Sequence, residues 1–276
     1  MEARTIVPAP EAALEPASRL DPRTRALLHA PIVPLLLTMA WPNVVVMLAQ
    51  ASTGLIETFW VSRLGTDALA GMALVFPGVM LMQMISAGSL GGAISSAIAR
   101  ALGGRRTADA DALVAHALIV NVALGGLASV VVLVFGPQLY RALGGRGASL
   151  DAALQYSNVV FAGNVLLWIT NALASTVRGT GNMLVPALVV CGGAVILIPL
   201  SPVLIFGFGP IPRLGIPGAG VAMVVSFAAM AAVIAWYVLS GRSIVRLRRS
   251  VLRRRLFGDI LGSGAVAIVS SVQTNL

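Results

Sequence analysis

Glu57 is the residue in this chain whose type and surroundings could do chemistry. The chain holds ten acids, and this is the one set inside a hydrophobic stretch, WPNVVVMLAQASTGLIETFWVSRLG at 41–65. An ionisable group within a membrane span is costly and marks a path, a proton relay or a paired site. Asn43, Gln50 and Glu57 recur every seven residues, two turns of helix, and Thr53 and Gly54 extend the same face. Val44, Val45, Met47, Leu48, Leu55 and Phe59 take the opposite side. Hydrocarbon penalises an unpaired polar group by several kcal/mol, so the polar stripe turns toward other helices or water. It reads as one wall of a cavity.

A second polar face lies further along. Ser157, Asn164 and Asn171 are again seven apart, with Trp168 and Ser175 beside them. Two readings stand: amides and hydroxyls that hydrogen-bond helix to helix, or an aromatic with amides lining a ligand cavity. Together with Gln83, the candidate substrate-cavity residues are Asn43, Gln50, Thr53, Gln83, Asn164, Trp168 and Asn171. Glu57 is the candidate cation-coupling residue.

Other chemistry is poorly supplied. The two histidines are His29, near the start, and His116, at a span end, where it reads as a satisfied interface residue. Cys191 is the single cysteine and sits in an apolar run, so a disulfide within the chain and a cysteine metal cluster are excluded. A hydrolase would need a nucleophile–base pair or metal ligands in the spans. No catalytic residues, metal site or cofactor are assigned, and the chain is not read as an enzyme. Met39, Met47, Met72, Met80, Met82 and Met84 crowd the first two spans. They suit ordinary packing, and also adaptable apolar binding.

The elements that position these residues follow from composition. The chain of 276 residues is 58% hydrophobic and 11% charged, with a mean hydropathy of +0.92. Soluble domains carry about a quarter charged residues, so this is an all-α polytopic membrane protein. Apolar segments predict spans at 35–61, 69–98, 110–136, 151–176, 183–207 and 217–240, with a seventh starting near 257. Pro77 predicts a kink in the second span, and Gly88 with Gly92 a close helix approach. Pro199 and Pro202 predict a broken fifth span. The domains are a disordered cytoplasmic tail at 1–30, a six-helix lobe at 31–241, a basic interlobe linker at 242–256, and the truncated start of a second lobe at 257–276. Overlaying 256–276 on 35–55 gives a faint internal repeat in the same orientation.

The net charge of +9 comes from 19 arginines and no lysine. Most fall on one side: Arg4, Arg19, Arg23 and Arg25 in the tail, Arg100, Arg105 and Arg106 after span two, Arg178 after span four, and the run from Arg242 to Arg255. Basic loops stay in the cytoplasm, which puts the N-terminus inside, and a bacterial inner membrane is the expected location. Anionic lipid head groups are the expected partners of this charge, not nucleic acid.

Four segments in order resemble the multidrug and toxic compound extrusion (MATE) family: IETFWVSRLGTDALAG at 56–71, SAGSLGGAISSAIARALGG at 86–104, RGTGNMLVPALVV at 178–190 and LIFGFGPIPRLGIPGAGVA at 204–222. The resemblance implies a twelve-helix, two-lobe transporter of which this chain is the first lobe, the linker and part of helix seven. It also implies export of amphipathic, often cationic drug-like molecules by antiport with H+ or Na+, and a monomer. Glu57 stands where the family usually has Asp. Ala194, Leu197 and Ser201 stand where its fifth span often carries Asn and Asp. The alternatives are a lipid-linked precursor flippase, which wants cavity arginines, and a truncated lobe that does not transport.

Overall fold

The structure is a computed structural model and describes residues 31–247, 253, 255–262 and 264. The tail at 1–30, the centre of the linker and the stretch from 265 onward, with the repeat read from it, lie outside the described residues. The chain divides at Pro42 into two units. Of the first, the described part is one helix end, and the packing below concerns the second.

The named helices are α1 (Ile32–Ser62), α2 (Thr66–Gln83), α3 (Leu90–Gly103), α4 (Thr107–Ala142), α5 (Gly147–Ala162), α6 (Asn164–Gly179), α7 (Leu184–Phe206) and α8 (Ile216–Leu239). An isolated bridge between Phe208 and Ile211 is the β pairing among the described residues. Runs such as Val44–Val46 would suit a strand on propensity alone. In hydrocarbon every backbone group must bond within its own segment, and the helix achieves that. With Thr66–Gly103 taken as one element, five helices are long and apolar enough to cross a membrane, and α5 with α6, bent by 46° to each other, are so together. Five of the six predicted spans are present as single elements, and the fourth is present if the bent pair is counted as one span.

Two spans are interrupted at unforeseen places. In the second, regular helix continues past Pro77 and gives way to a wide π turn at Met84–Ser89. There Ser86 Oγ donates to Met82 O at 2.7 Å, a bond that occupies one carbonyl at the irregularity. In the fourth, the bend falls at Gly163, where α8 comes close: a Cβ there would lie 2.5 Å from Val224 Cγ1. Only glycine admits that approach.

Two expectations are corrected. α7 is not broken by Pro199 and Pro202, both of which lie inside it. Proline already has a helical φ and removes one donor each time, a loss that membrane helices tolerate when the freed carbonyls find partners. At the C-terminal end of α7 the following loop covers two carbonyls of the last turn: Leu214 N and Gly215 N donate to Leu204 O and Ile205 O, both at 3.1 Å. Gly88 and Gly92 face open space, and it is Gly91 that meets a neighbouring helix, at Ser175.

The interruptions divide the lobe into two cores. One gathers Leu90, Ile94 and Ile98 of α3, Leu113, Val114 and Ala117 of α4, Leu167 and Leu173 of α6, and Ile234 of α8. Leu256 and Ile260, from the helical residues 255–262, complete it. The other joins Val61 of α1, Met72, Val75 and Val79 of α2, Tyr140 of α4, Tyr156 and Phe161 of α5, and Ile205 of α7. The second and fourth spans each contribute one half to each core, so their breaks fall where the cores meet.

Candidate functional site

The polar stripe of α1 runs from open to buried. Asn43 and Gln50 are exposed on the lobe, Thr53 is half-buried, and Glu57 is 5% exposed. Thr53 turns its hydroxyl inward to Ala49 O at 2.8 Å. The opposite side is exposed as expected, with Met47 at 68% and Leu55 at 74%.

Glu57 sits where α1 meets the second core. Ser201 of α7 is the polar side chain beside its carboxylate, and Tyr156 of α5 is within electrostatic reach. Nevertheless, Glu57 Oε1 and Ser201 Oγ are both buried with no hydrogen-bond partner. Tyr156 directs its hydroxyl to Met223 Sδ at 3.6 Å, a weak acceptor. Trp60 packs edge-on against Phe206, with ring centroids 6.1 Å apart, and its Nε1 is likewise unpartnered. Unsatisfied buried polar atoms cost about 1–3 kcal/mol each. A buried carboxylate oxygen without a protein donor is chemically suited to take a proton or a cation.

The remaining candidates lie elsewhere. Asn171 Nδ2 donates to Gln83 Oε1 at 3.2 Å and to Ser86 Oγ at 2.8 Å, bridging α6 to the interruption in the second span. Asn164 Nδ2 donates to Gly125 O at 3.3 Å and Ser129 Oγ at 3.4 Å on α4. Trp168 is 2% exposed and pressed onto the bare backbone of Gly125, its Nε1 without a partner. Within the lobe Asn164, Trp168 and Asn171 therefore join helices, the first of the two readings left open by their spacing. Glu57 and Ser201 come together, Gln83 and Asn171 come together, and Asn43 and Gln50 remain on the open face.

Sequence reasoning singled out Ser201 only as a departure from the MATE pattern and did not find Tyr156. Tyr156 directly precedes Ser157 of the polar face, so it points away from that stripe, and no periodicity marks it.

The family profile for MatE matches residues 42–203, which spans the stripe of α1 and reaches Ser201. The FAD transporter of Shewanella oneidensis is 33% identical over 201 residues, 73% of this chain and 44% of that protein. The probable multidrug resistance protein YoeA of Bacillus subtilis is 28% identical over 250 residues, 89% of this chain and 52% of that protein. Among solved structures, a MOP superfamily transporter from Pyrococcus furiosus superposes with a TM-score of 0.79 at 29% identity, covering 86% of this chain and 52% of that one. The first and third are transporters by name and the second a multidrug resistance protein, none an enzyme, and the chain spans about half the length of the relatives it matches. The all-helical lobe with its bent fourth span and the matched segments agree: this multi-pass membrane chain belongs to the MatE family.

Proposed function

We propose that this chain forms the N-terminal lobe of a secondary active exporter of small amphipathic, often cationic molecules, with Glu57 coupling export to inward H+ or Na+. One observation carries the reading. Glu57 is buried in a spanning helix with an oxygen that no protein group satisfies, beside an equally unsatisfied Ser201 hydroxyl. A carboxylate so placed needs a compensating proton or cation. Competition between a proton or Na+ and a substrate cation for that oxygen is the simplest form of antiport. The exposed Asn43 and Gln50, with Thr53 between them and Glu57, would line the substrate's approach. Gln83, Asn164, Trp168 and Asn171 would form the cavity's supporting wall. We further propose an inner-membrane monomer among anionic lipids with its N-terminus in the cytoplasm; the arginine distribution supports that orientation.

The test is efflux of ethidium from cells expressing the protein from its own gene, alongside Glu57→Gln at equal membrane abundance. Loss of efflux by Glu57→Gln with retention in Glu57→Asp is expected. Undiminished efflux by Glu57→Gln would remove Glu57 from the mechanism.

A second substrate reading has its own support. The relative from Shewanella oneidensis is named an FAD transporter, which favours an anionic flavin dinucleotide as cargo. Export of FAD into the medium, with no ethidium efflux, would establish it in place of the cationic reading.

A further inference from the structure

At the arginine-rich end of the lobe the chain after α8 folds back onto α4. Arg246 N donates to Asp111 Oδ1 at 2.8 Å. Arg253 Nη1 reaches Asp109 Oδ1 at 3.2 Å, and Arg106 lies 3.8 Å from the other oxygen of the same carboxylate. Between these surface contacts sits His116, fully buried at 0% exposure. Its Nδ1 lies 2.8 Å from Ala112 O, and its Nε2 2.9 Å from Arg253 N. The Phe257 ring covers it, centroids 4.6 Å apart and tilted by 57°.

The partners dictate the tautomer. A backbone carbonyl only accepts, so Nδ1 carries the proton; a backbone N–H only donates, so Nε2 presents its lone pair. The ring must be neutral for both bonds to exist. A proton added at Nε2 would set two N–H groups against each other across 2.9 Å in a buried site. Among the described residues, the nearby charged groups are engaged elsewhere. Asp109 is engaged by Arg253 and Arg106, and Asp111 by Arg246 N. From the helices packed on α4, Arg100 of α3 bonds Ser96 and Arg178 of α6 bonds Ser175. Asp259 of the helical residues 255–262 is exposed.

We propose that His116 is a proton-sensitive clasp. In its neutral Nδ1–H form it holds Arg253 and the helical residues 255–262 against α4, and protonation of the ring releases them. Leu256 and Ile260 belong to the same core, so release would loosen the start of the following helix as well. The clasp stands apart from Glu57 and does not depend on the coupling mechanism.

The experiment uses the purified protein in lipid nanodiscs, in a His29→Gln, Cys191→Ser background. His116 is then the one histidine, and its ring nitrogens can be followed by 15N NMR between about pH 5 and 8. A spin label on Arg255→Cys, an exposed position, reports mobility of the segment. The neutral ring is expected to show the Nδ1–H signature, and the label to pass from immobile to mobile in the same pH step in which the ring protonates. His116→Phe, and Arg253→Pro, which deletes the donated N–H and leaves the ring intact, should make the label mobile throughout. An Nε2–H neutral tautomer, a ring that stays neutral across the range, or mobility that ignores ring protonation would each overturn the clasp. If His116→Phe fails to fold, the titration of the unsubstituted ring and Arg253→Pro still decide.

Discussion

Asn171 of α6 and Gln83 at the end of α2 are hydrogen-bonded across 3.2 Å, 88 residues apart in sequence. The same amide nitrogen also holds Ser86 inside the wide turn that follows. One side chain thus fastens the interruption of the second span to the fourth.

Polar contacts between membrane helices contribute about 0.6 kcal/mol each on average, up to about 1.7. Asn171→Leu should lower the unfolding free energy by about 1–2 kcal/mol, read as a lower unfolding temperature in detergent. Because the two residues share one bond, Asn171→Leu and Gln83→Leu combined should fall short of the sum of the single effects. Full additivity would show that the pair is not energetically coupled.

Trp168 and Gly125 are fitted surface to surface. A Cβ at Gly125 would come within 2.7 Å of Trp168 Cγ and 2.9 Å of Cδ1. Gly125→Ala should therefore destabilise by about 1–3 kcal/mol, the usual range for overpacking. Trp168→Leu in the same molecule should recover part of that loss. A neutral Gly125→Ala in thermal unfolding would mean the two helices can move apart freely.

Accessibility separates the two polar faces. In a Cys191→Ser background, Asn43→Cys and Gln50→Cys should react with a water-soluble thiol reagent, because both positions are exposed on the lobe. Asn164→Cys and Trp168→Cys should be protected at positions that are 3% and 2% exposed. Rapid labelling at 164 and 168 would place an open aqueous cavity between α4 and α6.

Glu57→Gln should leave folding intact or improve it by about 1 kcal/mol, since it replaces a buried carboxylate with one unpartnered oxygen by a neutral group of the same shape. Thermal unfolding measured beside the efflux assay separates the roles. A large loss of stability would make Glu57 a structural residue instead.

Much of the fold is legible in the chain because lipid imposes it. Hydrocarbon leaves an apolar segment of about 20 residues no alternative to helix, so the six spans follow from hydropathy even through Val44–Val46. Periodicity also placed Val44, Leu48 and Leu55 on an outer face, where they are exposed. Glu57 was found because a lone carboxylate in an apolar run is conspicuous by itself. Proline misled: Pro77, Pro199 and Pro202 each mark a missing donor, but one missing donor does not by itself break a membrane helix, and α2 and α7 run on through all three.

The sequence by itself determined that this is an all-helical membrane lobe, which side of α1 is polar, and which residue carries charge within it. The tertiary structure decided what each polar residue meets. A seven-residue spacing puts Asn164, Trp168 and Asn171 on one face of a helix but does not say what covers that face. Gly125, Ser129, Gln83 and Ser86 cover it from distant parts of the chain. Glu57 beside Ser201, and His116 beneath Arg253, likewise join segments separated by more than a hundred residues. Helical periodicity is local and is written in the sequence. Which helices adjoin is set by close packing at small residues such as Gly125 and Gly163, where only the folded lobe brings the two surfaces together.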